Sequence, residues 1–231
     1  MELIEQLTAF GLTRQEATIY ITLQTDGELT GYEVAKLTGI SRSNTYTALA
    51  GLVDKGAAYA MEGTVTKYTP VKFEEFSSNF IRKLERIQKE IILKLPARKK
   101  ETDGYITIKG DQHILNKLKN MLLEAEYRIY TSVPMDILKF IEEDLITLIN
   151  RNIKVVILTD QPYNLDGAII YYTKNITNQI RLIVDSIKVL TGEIEEMQDS
   201  TCLYSKNRNL VNVFKEMLQN EITLIELTKT N

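Results

Sequence analysis

The polar side chains of this sequence that are best suited to molecular recognition are concentrated near residue 43. Ser41, Arg42, Ser43 and Asn44 follow one another directly, and Thr47 comes one helical turn after Ser43. Short hydroxyl and amide groups hydrogen-bond to base edges in the major groove of DNA, whereas an arginine contacts either a phosphate or a guanine edge. This combination favours nucleic-acid binding, provided that one helix face presents these residues to solvent.

Chemistry that depends on metal ions or redox-active thiols is not indicated. The single cysteine, Cys202, cannot form an internal disulfide, and the single histidine, His113, cannot complete a Cys/His metal cluster. We expect His113 to make a polar contact at a helix start and Cys202 to be a small core residue. The acidic run 193–199 is expected to be a solvated loop rather than a site for a hard cation. We therefore predict no metal site and no cofactor.

Local signals predict the helices that would position the polar cluster. Apolar residues at helical spacing mark a first helix, which Gly11 ends. The segments 13–16 and 30–33 each have the sequence of a capping box and predict the starts of a second and a third helix. Ser41 is a favourable N-cap for a fourth helix that continues to Lys55.

The fourth helix is predicted to have one apolar and one polar face. On a helical wheel, its inner face consists of Thr45, Ala48, Leu49, Leu52 and Val53, and its outer face of Ser43, Asn44, Thr47 and Gly51. Two strand candidates, 57–61 and 65–69, follow with a turn at Gly63 between them. Taken alone, the helices also fit a small core with a solvated polar face. Together with the hairpin they predict a winged helix-turn-helix, whose second helix lies in the major groove.

An apolar stripe predicts a long helix after this unit. Its residues are spaced by three or four positions, namely Phe73, Phe76, Phe80, Leu84, Ile87, Ile91 and Leu95. Such a stripe requires a partner, and its eleven-residue repeat indicates a nearly straight coiled-coil seam. We predict a dimerisation helix that Pro96 ends, followed by a polar linker at 97–104. The basic residues of 77–100 lie mostly away from the stripe, so we expect a solvated face, with contact to flanking DNA as the alternative.

The remainder of the chain alternates between strand and helix patterns. Strands are predicted at 105–109, 128–133 and 153–159, with helices at 111–125 and 135–151. This order is typical of βαβ units with a largely parallel sheet. The later candidates are strands at 180–185, 188–191 and 201–204, a helix at 210–218 and a C-terminal strand at 222–226.

Composition and charge limit the function classes. The 231 residues favour two domains, no apolar run is long enough to cross a bilayer, and the start lacks the pattern of a secretory signal. We therefore expect a cytoplasmic protein. The net charge of −3 is uneven, because residues 1–76 carry six basic and ten acidic groups. Such an acidic segment gains little from nonspecific counterion release on DNA.

The stretch GLTRQEATIYITLQTDGELTGYEVAKLTGISRSNTYTALAGLVDKGAAY resembles the N-terminal domain of the TrmB family of transcriptional regulators. The resemblance covers residues 1 to about 70, and 39–43 and Lys55-Gly56 are among its most specific parts. It implies a winged helix-turn-helix, a dimerising helix and a larger effector or assembly domain. Asn44 and Thr47 depart from the family pattern, which commonly has small or basic residues at these positions.

The second half resembles the phospholipase-D-type fold that follows the DNA-binding domain in many TrmB-family members. In NQIRLIVDSIKVLTGE, the spacing of the H-x-K-x4-D motif aligns Asn178 with the histidine and Ile180 with the lysine, and only Asp185 is retained. Asparagine and isoleucine supply neither the nucleophile nor the phosphate clamp of that chemistry. We therefore expect no catalytic residues and no enzyme activity. The alternatives are a hydrolase with a non-standard active site and a DNA-independent assembly protein.

The sequence thus predicts an α+β, multidomain protein. It would comprise a winged helix-turn-helix at 1–72, a dimerisation helix and linker at 73–103, and a phospholipase-D-like α/β effector or assembly domain at 104–231. We predict a homodimeric, sequence-specific transcriptional regulator whose partners are double-stranded DNA and an effector, either a sugar or another metabolite. The residues expected to contact DNA are Thr30, Tyr32, Ser41, Arg42, Ser43, Asn44, Tyr46, Thr47 and Lys67. The seven residues of the apolar stripe, from Phe73 to Leu95, are expected to form the dimer.

Overall fold

A computed structural model describes residues 2–96, 104–173, 178–194 and 200–229. The chain divides into two compact units, Met1–Ala97 and Arg98–Asn231, and each unit has a hydrophobic core of its own. The predicted linker lies almost entirely outside the described residues. Within those residues, no helix is both long and apolar enough to cross a membrane.

The first unit contains five helices and a small sheet among its described residues. In chain order these are α1 (Leu3–Ala9), α2 (Arg14–Asp26), β1 (Leu29–Thr30), α3 (Gly31–Thr38), α4 (Arg42–Asp54), β2 (Ala58–Met61), β3 (Lys67–Pro70) and α5 (Phe73–Lys94). The predicted helices and the antiparallel hairpin of β2 and β3 are confirmed. The structure adds strand β1, which pairs with β3 and completes a three-stranded sheet in the order β1-β3-β2.

Side-chain caps define the helix starts in this unit. The Thr13 hydroxyl accepts a hydrogen bond from the Glu16 N–H at 3.2 Å, and the Glu16 carboxylate accepts one from the Thr13 N–H at 2.6 Å. Thr30 and Glu33 form the same reciprocal pair at the start of α3. Both predicted capping boxes are therefore present, and each satisfies two backbone donors that a helix start leaves free.

Glu16 also connects α2 to α4. Its side chain is buried and forms an ion pair with Lys55, whose ammonium group donates a second hydrogen bond to the Gly11 carbonyl at 2.9 Å. A Cβ atom on Gly51 would lie only 2.2 Å from Glu16 Oε1. The two helices therefore approach each other closely at a glycine, and the ion pair fixes the end of α4 against α2.

The second unit is built on a seven-stranded sheet. Its elements are β4 (Tyr105–Lys109), α6 (Asp111–Leu123), β5 (Arg128–Ser132), α7 (Met135–Phe140), α8 (Glu142–Asn150), β6 (Lys154–Thr159), β7 (Ile169–Tyr172), β8 (Gln179–Val184), β9 (Lys188–Glu193), β10 (Thr201–Ser205) and α9 (Arg208–Lys229). The strand order is β4-β10-β9-β8-β5-β6-β7. One apolar cluster lies between the sheet and α6 to α8, and another includes residues of α9.

The prediction of a largely parallel sheet is wrong. Among neighbouring strands, only the pairs β5-β6 and β6-β7 are parallel, whereas the pairs β4-β10, β10-β9, β9-β8 and β8-β5 are antiparallel. The error has a topological cause, because α6 connects β4 and β5, which are not neighbours in the sheet. In addition, β8 and β9 form a tight hairpin, and a connection that short allows only antiparallel pairing.

Two further element predictions require correction. The C-terminal strand predicted at 222–226 is part of α9, which continues to Lys229. Leu218, Ile222 and Ile225 follow one another at helical spacing and pack in the same cluster, so tertiary packing outweighs the β-branched character of this segment. The helix predicted at 135–151 is divided at Ile141 into α7 and α8.

Asp185 stabilises the hairpin of β8 and β9. Asp185 and Ser186 have φ values of +51° and +58°, as the tightest hairpin turns require. The Asp185 carboxylate accepts hydrogen bonds from the backbone N–H groups of Glu126, Tyr127 and Arg128 at 2.8 to 2.9 Å. Burial by itself raises the pKa of this carboxyl, but the three hydrogen bonds outweigh it and the pKa is lower than usual. The aspartate therefore joins this turn to the start of β5.

We expect Asp185→Ala to lower the free energy of unfolding by about 2 kcal/mol, because three backbone donors lose their acceptor. Asp185→Asn keeps one acceptor oxygen and tolerates positive φ, so its loss should be smaller. Urea unfolding at several pH values measures the free energy of unfolding of both variants. Since the folded pKa lies below the unfolded value of about 3.9, the carboxylate contributes fully above that pH. The difference between Asp185→Asn and the unaltered chain should shrink as the pH falls through the folded pKa. A difference that is constant with pH would contradict this assignment.

Candidate nucleic-acid interface

Helix α4 presents one polar face and buries the opposite one. Thr45, Ala48, Leu49 and Leu52 are buried in the core of the first unit. Ser43, Asn44 and Thr47 are exposed. This division agrees with the predicted faces except at Gly51, which was predicted on the outer face but packs against the buried Glu16 of α2. An exposed row of short polar side chains on an otherwise anchored helix has the dimensions needed to approach base edges in a major groove.

The N-terminus of α4 is capped but remains open to solvent. The Ser41 hydroxyl accepts a hydrogen bond from the Asn44 N–H at 3.4 Å, and Ser41 itself is exposed. The buried Thr45 hydroxyl donates to the Ser41 carbonyl at 3.0 Å and so fixes the first turn from the inside. A helix start of this kind presents backbone N–H groups and the positive end of the helix dipole, both of which favour contact with phosphate.

Arg42 is held in place by an aromatic ring of α3. Its guanidinium carbon lies 4.8 Å from the centroid of the Tyr32 ring, and the side chain of Tyr32 is about half exposed. A guanidinium group that stacks on an aromatic face loses less conformational freedom when it binds an anion. The sequence predicted that both residues contact DNA but gave no indication that they contact each other.

Tyr46 mediates the contact between α3 and α4. Its ring lies against Gly31, where an added Cβ atom would be 2.5 Å from the nearest ring carbon. The ring is nevertheless 50% exposed. Gly31 therefore permits the close packing of the two helices, and one edge of Tyr46 remains open to solvent beside the exposed face of α4.

Thr30 and Lys67 lie side by side where β1 pairs with β3. The Thr30 hydroxyl is engaged in the cap of α3. The Lys67 ammonium group forms an ion pair with Glu28 at 2.8 Å on the surface. The hydrogen bond and the charge of Glu28 raise the pKa of Lys67, so this lysine stays charged but has an acidic neighbour.

The described residues around α4 include few positive charges. Arg42 and Lys36 are exposed cations near the start of α4, and Lys67 is paired with Glu28. Hydrogen bonds from Thr30 lower the pKa of Glu33, which keeps a negative charge at the start of α3. Nucleic-acid recognition by this surface therefore has to depend on close contacts more than on long-range attraction.

The residues of the predicted dimer stripe lie in two different environments. Phe76 is 1% exposed and belongs to the core of its own unit, so it has no surface left for a partner and its assignment to the dimer interface is corrected. Phe80 is partly buried against the same core. Phe73, Leu84, Ile87, Ile91 and Leu95 are exposed in the single chain.

The other candidate residues lie in the core, in a turn or on the surface. Ile180 is fully buried, and Asp185 binds backbone N–H groups as described above. Cys202 is 2% exposed, and burial raises the pKa of its thiol to about 11. His113 is exposed in the first turn of α6. Glu195, Glu196 and Asp199 lie outside the described residues, and the part of the chain that is described contains no cluster of metal-ligating side chains.

Comparison with protein families gives two matches. Residues 7–74 match the model of the sugar-specific transcriptional regulator TrmB. Residues 104–220 match the model of the EBD N-terminal subdomain of the transcriptional regulator TrmB. The two matches fall on the two structural units, and the second alone covers half of the chain.

Several individual proteins are similar to this chain. The uncharacterized protein YrhO of Bacillus subtilis is 26% identical over 98% of this chain and 86% of its own length. The DNA-binding HTH-type transcriptional repressor TrmBL2 of Thermococcus kodakarensis is 28% identical over 75% of this chain and 74% of its own length. The sugar sensing regulator TrmBL1 of Pyrococcus furiosus is 26% identical over 61% of this chain, which spans only 42% of that protein.

Solved structures align with lower similarity. The archaeal chromatin protein TrmBL2 aligns over 96% of this chain and 97% of its own, at 23% identity and a TM-score of 0.47. Nuc, a phospholipase D family member from Salmonella typhimurium, aligns over 51% of this chain and 92% of its own, at 16% identity and a TM-score of 0.40. The family assignment does not depend on these alignments. With both units matched by TrmB models and with regulators among its relatives, the chain belongs to the TrmB family of DNA-binding transcriptional regulators.

Proposed function

We propose that this chain binds a specific DNA sequence as a homodimer, with α4 in the major groove, and that the second unit controls this binding. The observation that carries the proposal is the exposed polar face of α4, formed by Ser43, Asn44 and Thr47. This face lies opposite a buried one, so α4 is fixed in the orientation that a recognition helix requires.

The exposed residues of α4 have distinct roles in this proposal. The amide of Asn44 offers the donor and acceptor pair that matches the major-groove edge of adenine. The Thr47 hydroxyl donates to the Ser43 carbonyl at 3.0 Å within the helix. Thr47 therefore presents lone pairs and a methyl group to a base, and the methyl group suits contact with thymine. Ser43 adds a small hydroxyl next to the phosphate backbone.

Arg42 anchors the start of α4 to the DNA backbone or to a guanine edge. Its position on the Tyr32 ring directs the guanidinium group beside the open N-terminus of α4. Backbone contacts of this kind set the register of a recognition helix, whereas base contacts provide the sequence preference. Arg42 and the helix start therefore position α4, and the residues that follow select the sequence.

The exposed part of α5 supports dimerisation. Every residue from Ile81 to Leu95 is exposed in the single chain, although this stretch contains Leu84, Ile87 and Ile91. A helix of this length without tertiary contacts is marginally stable in water. A second copy that covers the apolar stripe would stabilise the helix and place two copies of α4 on one DNA duplex.

The second unit is the regulatory part in this proposal. It matches the EBD N-terminal subdomain of TrmB, and the relative TrmBL1 is described as sugar sensing. We infer that a sugar or another metabolite alters DNA binding through this unit, which requires different affinities for the two dimer arrangements. We infer no phospholipase activity, because Asn178 and Ile180 lack the required groups and Asp185 serves a turn.

The first test measures sequence-selective DNA binding. Fluorescence anisotropy with DNA from upstream of the chain's own gene should show tighter binding than with scrambled DNA, and the double variant Arg42→Ala, Thr47→Ala should abolish this preference. Loss of one phosphate contact should also make the plot of the logarithm of the binding constant against the logarithm of the salt concentration less steep, by about 0.9 in slope. Arg14→Ala is the matched control, since it removes an exposed arginine near the opposite end of α4.

Equal and weak binding to both DNAs would contradict recognition of that site. Equal loss of binding in Arg14→Ala and Arg42→Ala would show that net charge, rather than the surface of α4, determines affinity. An unchanged affinity in the double variant would favour a role of the winged helix in protein contacts.

The stacking of Arg42 on Tyr32 gives a separate prediction. Tyr32→Ala should weaken DNA binding by about 0.5 to 1 kcal/mol, because the guanidinium group loses its aromatic support. Tyr32→Phe keeps the ring and should bind like the unaltered protein, which anisotropy at constant salt would measure. If Tyr32→Phe is as weak as Tyr32→Ala, the hydroxyl group rather than the ring makes the contribution.

Dimerisation is tested through α5. Ile87→Glu places a charge in the apolar stripe and should convert the dimer into monomers of 26.5 kDa, as measured by light scattering. Leu93→Glu is the control, because Leu93 is 86% exposed and lies on the opposite side of the helical wheel. An unchanged mass in Ile87→Glu, or dissociation in both variants, would refute the assigned interface.

A further inference from the structure

The start of α5 has its apolar stripe covered by its own chain. The Phe10 ring, just after α1, lies 5.6 Å from Phe73, 6.1 Å from Phe76 and 5.4 Å from Phe80, measured between ring centroids. The Phe80 ring also contacts Gly11, where an added Cβ atom would be 2.9 Å away. The body formed by α1 and α2 therefore occupies the stripe side of α5 as far as Phe80.

Beyond Phe80 the same stripe is bare. Leu84, Ile87, Ile91 and Leu95 are 49%, 36%, 49% and 63% exposed. These positions follow Phe80 at spacings of three and four. They therefore continue along the side of α5 that Phe10 covers near the start of the helix. The available seam is therefore limited to the last four turns of the helix.

This division restricts how two copies of α5 can pair. In a parallel pair in register, both winged-helix bodies would lie at the same end and on the inner side of the two helices. They would occupy the same space between the helices unless the helices diverged. In an antiparallel pair the bodies lie at opposite ends, so parts of the two bare seams can face each other while the bodies stay apart.

We propose that α5 pairs antiparallel with α5 of a second copy, centred near Ile87. This inference rests on the proposed homodimer and specifies its arrangement. Centring at Ile87 places Leu84 beside Ile91 of the partner subunit and Phe80 beside Leu95 of the partner subunit, about 11 Å along the axis from the centre. The end of the partner helix then lies at the mouth of the apolar groove that Leu3, Phe10, Ile21 and Phe73 line in part.

Charges beside the seam favour the same direction. On the helical wheel, Lys83 and Glu90 lie on one flank of the stripe. In an antiparallel pair like flanks face each other, so Lys83 of each copy lies opposite Glu90 of the other and two ion pairs form across the seam. A parallel pair places opposite flanks together, and Lys83 then faces the neutral Gln88. The helix dipoles are also opposed only in the antiparallel pair.

Disulfide cross-linking tests the direction of the helices. In a Cys202→Ser background, Leu84→Cys and a size-tagged Ile91→Cys are mixed under reducing conditions and then oxidised in a thiol-disulfide buffer. The antiparallel arrangement should shift both monomer bands to one heterodimer band. Two copies of Leu84→Cys alone should stay monomeric on the gel, because their Cα atoms lie beyond the reach of about 7 Å for a disulfide.

Ile87→Cys is the control for pairing itself, since this position faces its equivalent in either direction. If Ile87→Cys cross-links and Leu84→Cys forms homodimers, the antiparallel proposal is overturned while the proposed dimer stands. Cross-linking at Ile87 without the mixed product also overturns it, because an antiparallel pair centred at Ile87 has to bring Leu84 and Ile91 together. If Ile87→Cys fails to cross-link and light scattering gives a monomer, the proposed homodimer itself fails.

Discussion

The ion pair between the buried Glu16 and the partly exposed Lys55 anchors α4, and the proposed DNA-binding surface depends on this constraint. A polar recognition surface has no hydrophobic contacts that could set its own orientation, so the opposite face of the helix has to do so. The ion pair fixes the end of α4, the absence of a side chain on Gly51 allows α2 to approach, and Thr45 secures the first turn. A buried carboxylate is costly without its partner, so this contact is specific to one helix arrangement.

The small number of cations on this surface determines how it can recognise DNA. A strongly basic domain binds any duplex through counterion release, and sequence preference is then added to a large nonspecific affinity. Here few cations lie near the start of α4, Glu28 pairs with Lys67, and Glu33 adds a negative charge at the start of α3. Such a surface gains little binding free energy from DNA until hydrogen bonds to base edges form. We therefore expect low affinity but a high ratio of specific to nonspecific binding, with the stacked Arg42 providing a fixed contact.

The features that sequence predicted are those with local causes. The capping boxes of Thr13 and Thr30 and the two faces of α4 depend on residues three or four positions apart, so a single chain segment contains the whole signal. Strand β1, the antiparallel majority of the second sheet and the stacking of Tyr32 on Arg42 depend on contacts between distant segments. Phe76 shows the same limit, because periodicity identified an apolar stripe but could not distinguish a core residue from an interface residue.

Helix α5 has two tasks, and its packing connects them. Its first turns complete the core of the winged-helix unit through Phe76 and Phe80, and its later turns carry the exposed seam. Phe10 contacts both Phe73 and Phe80 at the start of α5, so a rotation of α5 about its axis cannot leave α1 unchanged. Close-packed interiors respond to such rotation by switching between discrete arrangements rather than by gradual deformation. Effector control in the proposed regulator therefore requires only a change in how the two α5 helices pair, which the Phe10 cluster and the pair of Glu16 and Lys55 pass on to α4.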